Sequence, residues 1–165
     1  MKILGIDPGL KVCGYACLQT NETEREILEA GVIKTDERLH LEARLNQISC
    51  DISHLLDNHN PDVVAVEELY SHYAHPRTAI LMAHARGVIL QKCAERTIEI
   101  KSFSPTRIKK AVTGNGRASK QQVQRTIRSI FKLTEIPEPN DIADAIAAAL
   151  CCGNSNYALQ KYLVH

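Results

Sequence analysis

Acidic residues that end apolar segments are the side chains in this sequence best suited to chemistry. Asp7 ends the first apolar run and is followed at once by a Pro-Gly pair, so we expect it at a strand end beside a turn. Glu67 ends another apolar segment, and Asp141 and Asp144 lie three residues apart in a small, apolar helical stretch. Burying carboxylates together is costly unless cations neutralise them. The pattern therefore predicts one metal site, suited to metal-assisted cleavage of phosphodiesters.

Each of these acids also has a plainer interpretation. Asp7 could be a turn residue before proline, and Asp141 and Asp144 could be acids at the positive end of a helix dipole. For a single acid, that structural role is favoured. Taken together, at the ends of apolar elements, the acids favour a metal site.

Composition sets the class of protein. The chain has 165 residues, of which 44% are hydrophobic, which predicts one domain with a sizeable core. Its six cysteines contain no C-x-x-C pair and lie mostly among apolar neighbours, as reduced thiols do in cytosolic proteins. A zinc site on Cys13 and Cys17 is disfavoured because a second ligand pair is missing. No apolar run approaches the roughly 20 residues of a membrane span, so we expect a cytoplasmic protein.

Positive charge is concentrated in one part of the chain, although the net charge is only +1. Residues 101–132 carry nine lysines and arginines and no acid. Such a block, hereafter the basic block, is expected to bind a polyanion, whereas the plainer alternative is a solvated helical face. Its members are Lys101, Arg107, Lys109, Lys110, Arg117, Lys120, Arg125, Arg128 and Lys132.

The hydrophobic periodicity predicts an α/β fold. A meander of three strands opens the chain, and two strand–helix–strand units then imply parallel crossovers. Three helices follow, with Ser104 and Asn140 as candidate N-caps. The predicted strands are 2–7, about 11–19, about 25–35, about 62–67 and about 97–103, and the predicted helices are about 38–58, 76–95, 104–112, 118–131 and from about 141 onward.

This order of elements matches the ribonuclease H-like architecture, a five-stranded mixed sheet with three antiparallel and then two parallel strands, flanked by helices. Five motifs, which together cover nearly the whole chain, make the resemblance specific to RuvC-type Holliday-junction resolvases. They are Gly5-Ile6-Asp7-Pro8-Gly9, Ala65-Val66-Glu67, Ala85-Arg86-Gly87-Val88, the stretch 113–123 that begins Thr113-Gly114-Asn115-Gly116, and Asp141-x-x-Asp144-Ala145.

The resemblance implies roles for the four acids. Asp7, Glu67, Asp141 and Asp144 would be the catalytic tetrad that binds two Mg²⁺ ions per site, with Mn²⁺ as a substitute. One ion would lower the pKa of an attacking water and the other would stabilise the departing 3′ oxygen. The expected products are nicks in a four-way DNA junction that leave 5′ phosphates and 3′ hydroxyls. Glu68 should point to the opposite face of its strand and stay outside the site.

The resemblance also implies DNA contacts and partners. Lys109 and Lys120 would steady phosphates of the cleaved strand, and Arg107, Arg117 and Arg125 are weaker candidates for backbone contact. Tyr70, where the family usually carries an aromatic residue, could stack on an opened base or serve only in packing. Two matched cuts imply a C2 homodimer, for which the small residues Ala79, Ala83, Ala85 and Gly87 offer an interface. A branch-migration motor is a further expected partner.

Three other functions compete with this interpretation. Actin-like ATPases and sugar kinases also use a D-x-G hairpin, but they require two related domains, which 165 residues cannot supply. The small nuclease that trims ribosomal RNA precursors shares the fold and opening motif, and we expect it to lack the basic block and the full tetrad. A junction-binding protein without catalysis is disfavoured because every tetrad position carries an acid.

Overall fold

A five-stranded mixed sheet forms the centre of the fold. The computed structural model describes residues 1–21, 23–69 and 76–163, with side chains described as far as residue 155. The strand order is β3-β2-β1-β4-β5; β1, β2 and β3 pair antiparallel, whereas β1, β4 and β5 pair parallel. This topology confirms the predicted sheet. The strands are β1 (Lys2–Asp7), β2 (Val12–Thr20), β3 (Arg25–Lys34), β4 (Val63–Glu67) and β5 (Glu99–Phe103).

Five helices surround this sheet in the described part of the chain, and all five were predicted. Ser104 caps α3 as expected, because its side chain accepts a hydrogen bond from the Arg107 amide at 3.3 Å. The helices are α1 (Leu41–His59), α2 (Pro76–Glu95), α3 (Pro105–Thr113), α4 (Lys120–Ile130) and α5 (Asn140–Leu163).

Two helix starts differ from the sequence prediction. Helix α4 begins two residues later than predicted because Ser119 and Gln122 form a capping box, in which each side chain accepts a hydrogen bond from the other's backbone amide. Asn140, predicted as a cap, lies inside the first turn of α5. Its side-chain oxygen instead accepts a hydrogen bond from the amide of the buried Gln124 at 2.6 Å, which ties α4 to α5.

Two apolar cores lie on opposite faces of the sheet. Helices α3, α4 and α5 cover one face and contact alternate β1 residues such as Ile3, while α1 and α2 cover the other and contact Leu4 and Ile6. Five of the six cysteines are buried and all six are free, which confirms their predicted use as small hydrophobes. Among the residues that the structure describes, no helix is long and apolar enough to cross a membrane.

Candidate active site

Two of the predicted acids lie at neighbouring strand ends. Strands β1 and β4 are parallel and pair as far as Ile6 and Val66, so Asp7 and Glu67 follow side by side at the same edge of the sheet. Alternation along the strands directs both side chains to the face covered by α5. By the same alternation Glu68 belongs to the other face, where it lines a groove against α2.

The N-terminus of α5 brings the other two acids to the same edge. Gly14 pairs with Asp7 across the sheet, and a Cβ atom at Gly14 would overlap the backbone carbonyl of Asp141. Gly5 permits the same close approach one turn further along, where an added Cβ would overlap the Ala145 carbonyl. The first turn of α5, with Asp141 at its start, therefore lies directly on the strand ends. Sequence reasoning overlooked Gly14, although a glycine inside an otherwise well-formed strand signals such an approach.

The charges of the neighbouring acids act on Asp7 and Glu67. Burial, followed by the negative charges of Glu67, Asp144 and Asp141, raises the pKa of Asp7 to about 8. Burial and the charge of Asp144 raise the pKa of Glu67 to about 7. These shifts mean that the carboxylates repel one another in a partly desolvated site. A positive charge placed among them would favour their ionised forms.

Two lysines of the basic block lie beside the acids. The Lys120 ammonium forms a salt bridge with the Asp144 carboxylate at 3.2 Å, and its charge opposes the rise in the pKa of Asp7. The charges of Lys120 and Lys109 likewise oppose the rise in the pKa of Glu67. Lys109 and Lys120, which were predicted to hold phosphates of the cleaved strand, therefore both lie near the acidic cluster.

The donor set of the cluster fits a hard divalent cation. Four carboxylates supply only oxygen atoms, which are the ligands preferred by Mg²⁺ and Mn²⁺. Within the described residues, no three His, Cys, Asp or Glu side chains are close enough to form a preformed metal site. The mutual repulsion and burial of the acids nevertheless favour a cation at this edge.

Hydrogen bonds from α1 hold the turn that follows Asp7. Arg44 donates from Nε to the Thr35 hydroxyl at 2.9 Å and from Nη2 to the Leu10 carbonyl at 3.3 Å. The buried Thr35 hydroxyl in turn donates to the same carbonyl at 2.6 Å. These bonds fix the connection between β1 and β2, on which the position of Asp7 depends.

The remaining predicted residues lie in different settings. Arg107 stacks over the Phe103 ring at 4.9 Å and donates to the Ser155 hydroxyl at 3.2 Å, so its guanidinium already has protein partners. Arg117 is exposed, and its backbone amide is held by the Asn115 side chain at 2.9 Å. Tyr70 lies outside the described residues.

Zinc binding by the two N-terminal cysteines gains no support from their setting. Cys13 and Cys17 are both buried in the core between the sheet and the α1–α2 layer. Burial raises the pKa of the Cys13 thiol to about 12, which opposes the thiolate that zinc requires.

The fold is a mixed sheet with this strand order, and it carries a cluster of carboxylates where a helix N-terminus meets two parallel strand ends. Together these two features define the ribonuclease H-like class. Within that class, the family model for crossover junction endodeoxyribonuclease RuvC matches residues 3–152. The chain belongs to this family.

Individual relatives agree with the family assignment. The crossover junction endodeoxyribonuclease RuvC of Rhodopirellula baltica is 46% identical over 149 residues, which are 90% of this chain and 84% of that protein. The enzyme of the same name from Halothermothrix orenii is 41% identical over 161 residues, 98% of this chain and 96% of that protein. Among solved structures, T. thermophilus RuvC in complex with a Holliday junction substrate matches with a TM-score of 0.87 and 26% identity, over 96% of each chain.

Proposed function

We infer that this protein is a Holliday junction resolvase, which cuts four-way DNA junctions by metal-dependent nicking. The observation that carries this inference is the placement of Asp7, Glu67, Asp141 and Asp144 at one sheet edge of a RuvC-family chain, where the charges of the other three acids raise the pKa of Asp7. The related T. thermophilus protein, whose structure was solved with a Holliday junction substrate, supports the choice of substrate.

We propose that these four carboxylates hold two Mg²⁺ ions, for which Mn²⁺ can substitute. When bound, such ions activate a water molecule and stabilise the departing oxygen of the phosphodiester. The chain itself supplies the oxygen ligands and a partly desolvated setting in which their charges act strongly. Nicks with 5′ phosphate and 3′ hydroxyl ends are the expected products.

We propose that Lys120 and Lys109 hold the phosphates of the cleaved strand at this edge. Lys120 reaches Asp144 at 3.2 Å while its side chain stays 64% exposed, so it can exchange its carboxylate partner for a phosphate. Lys109 lies close enough to influence Glu67. Exposed members of the basic block such as Arg117 would extend the contact along the DNA backbone.

We also propose a C2 homodimer, because two matched cuts in a nearly two-fold symmetric junction require two sites. Helix α2 buries Ala85 against the sheet but leaves Ile80, Ala83, His84 and Gly87 exposed on a single stripe with helical spacing. A second copy could approach closely over the small residues Ala83 and Gly87, whereas Ala85, predicted for this interface, is buried against the sheet and cannot contribute. The branch-migration motor stays a prediction that rests on the family resemblance.

The decisive test compares the protein with its Asp7→Asn variant on a synthetic four-way junction, a plain duplex and a structured RNA, each with Mg²⁺. We expect paired nicks in the junction alone, and loss of roughly three orders of magnitude in rate in the variant because a metal ligand is removed. Junction affinity, measured by electrophoretic mobility shift without divalent cation, should change little. A folded Asp7→Asn protein that cuts at the normal rate would disprove the tetrad assignment.

Salt dependence tests the basic block separately. If several of its cations contact phosphates, the logarithm of the junction association constant should fall steeply with the logarithm of salt concentration, by about 0.9 per contact. Lys120→Gln should reduce this slope by about one unit. A shallow slope in the unaltered protein would mean that this face does not contact the DNA backbone.

A further inference from the structure

We propose that Arg86 is a positioning residue for Glu67, acting through the main chain at the ends of β4 and β5. Arg86 belongs to the Ala85-Arg86-Gly87-Val88 motif of α2, to which the proposed reaction gives no role. The proposal rests on the proposed function, because it concerns the placement of one of the four acids.

The geometry of Arg86 joins three elements. From α2 its Nε donates to the main-chain carbonyl of Glu67 at 3.3 Å, and its Nη2 donates to the Ser102 hydroxyl at 2.7 Å. Glu67 ends β4 and Ser102 lies in the neighbouring β5. The planar guanidinium holds its donors in a fixed fork, so one side chain can bridge two adjacent strands in a defined geometry.

The position of this bridge matters because the sheet ends there. Glu67 pairs with Phe103, and the next backbone bond, from the Glu68 amide to the Phe103 carbonyl at 2.9 Å, is formed at the last residue of β5. Strand ends fray more readily than strand centres. By holding the Glu67 carbonyl, Arg86 restrains the backbone from which that carboxylate projects. A catalytic constellation requires placement to within about 0.5 Å, which a freely fraying strand end does not provide.

The partners of Arg86 distinguish this role from a plain phosphate contact. Arg86 is only partly exposed, and its bonds are to a carbonyl and a hydroxyl that lie on the α2 side of the sheet. The acids point to the opposite side, which α5 covers. Arg86 therefore restrains the backbone of Glu67 from the α2 side of the sheet, and it does not enter the acidic cluster.

The experiment compares Arg86→Gln, Arg86→Lys and Ser102→Ala with the unaltered protein. Single-turnover cleavage is measured with saturating protein over a range of Mg²⁺ concentrations, and junction affinity is measured without divalent cation. Amide hydrogen exchange of residues 64–68 in the metal-free protein gives a readout independent of activity. Arg96→Gln is the matched control, since Arg96 bonds Asp57 at 2.8 Å at the far end of α2.

We expect both Arg86 variants to cut about 10- to 100-fold more slowly and to need more Mg²⁺ for half-maximal rate, as loss of a group supporting a ligand usually produces. Lysine should not rescue, because a single ammonium cannot reproduce the fork. Exchange of residues 64–68 should accelerate in both, and Ser102→Ala, which removes one of the two bonds, should show smaller changes in the same direction. Junction affinity and the Arg96→Gln control should stay unchanged.

Three results would overturn the proposal. Rescue by lysine, or weakened junction affinity with a normal saturated rate, would make Arg86 a phosphate contact. Slower cleavage with unchanged hydrogen exchange would show that Arg86 does not hold the strand end. If Arg86→Gln fails to fold, Ser102→Ala still tests the bridge. If the unaltered protein does not cut junctions, the proposed function fails, whereas the exchange data still report on the bridge.

Discussion

Asp7 shows how the candidate active site carries a cost in stability. Its carboxyl group is partly desolvated and lies near three other acids, and these two causes raise its pKa to about 8. The positive charge of Lys120 opposes this rise. The same arrangement that would attract a divalent cation therefore opposes ionisation of Asp7 in the metal-free protein.

This arrangement predicts that the metal-free protein loses stability as pH rises. The pKa of Asp7 is raised from 3.8 to about 8 and that of Glu67 to about 7, so between these limits the folded protein binds more protons than the unfolded chain. By linkage, the free energy of unfolding falls over about pH 4–8. Thermal unfolding in a chelator should show a Tm lower by several degrees at pH 8.5 than at pH 5.

Substitution tests whether the acidic cluster causes that loss. Asp7→Asn removes the most strongly shifted group and should flatten the dependence of Tm on pH, so that the variant is the more stable protein at pH 8.5. Asp51→Asn, which alters an exposed carboxylate on α1, should retain the original slope. A Tm that rises from pH 5 to 8.5, or equal slopes in the two variants, would contradict the assigned cause.

At the scale of elements, the site depends on how closely α5 approaches the sheet. Gly14→Ala should push the helix away from the strand ends, because the new Cβ would overlap the Asp141 carbonyl. We expect a loss of about 1–3 kcal/mol in the free energy of unfolding, as overpacking produces. Cleavage should fall as well, since Asp141 moves relative to Asp7. Chemical denaturation and single-turnover kinetics measure the two effects.

Gly153→Ala, in α5 itself, provides the control for an added methyl group between this helix and the sheet. An added Cβ there would meet its nearest neighbour, Ile3 Cδ1, at 3.4 Å, which is an ordinary contact distance. Because alanine favours helix over glycine, this variant should be equal or more stable by up to about 1 kcal/mol. Equal losses in the two variants would show that close approach at the N-terminus of α5 is not the cause.

The elements could be predicted from the sequence, whereas most contacts that refine the site could not. Periodicity and parallel crossovers already place Asp7 and Glu67 at one edge, since parallel strands end together. By contrast, the bond from Arg86 to Glu67 joins residues 19 apart, and that from Arg107 to Ser155 joins residues 48 apart. Such pairs depend on how helices lie across the sheet, which hydrophobic spacing does not specify. Arg107, predicted to contact DNA, thus has intramolecular partners that neither charge nor hydrophobic spacing predicts.

At the scale of the whole molecule, charge is divided between the acidic edge and the basic block of residues 101–132. The chain is nearly neutral overall, with a formal charge of +1, so long-range attraction to DNA depends on where the cations lie. Lys109 and Lys120 join the two regions, because they belong to the basic block and influence the acids. A phosphate bound by the block would thereby be directed to the carboxylates.

The homodimer is the last property that can be tested at this scale. Ile80 is 58% exposed at the N-terminal end of the proposed α2 stripe, and burying it between two copies should stabilise the dimer. Ile80→Asp should shift sedimentation velocity profiles toward monomer, because each interface would then bury an unpaired charge. It should also separate the two cuts in time, leaving singly nicked junctions. Leu28→Asp, which alters a 43% exposed residue of β3, should leave both properties unchanged. An unaltered protein that remains monomeric at high concentration, with or without junction DNA, would contradict paired cutting by a dimer.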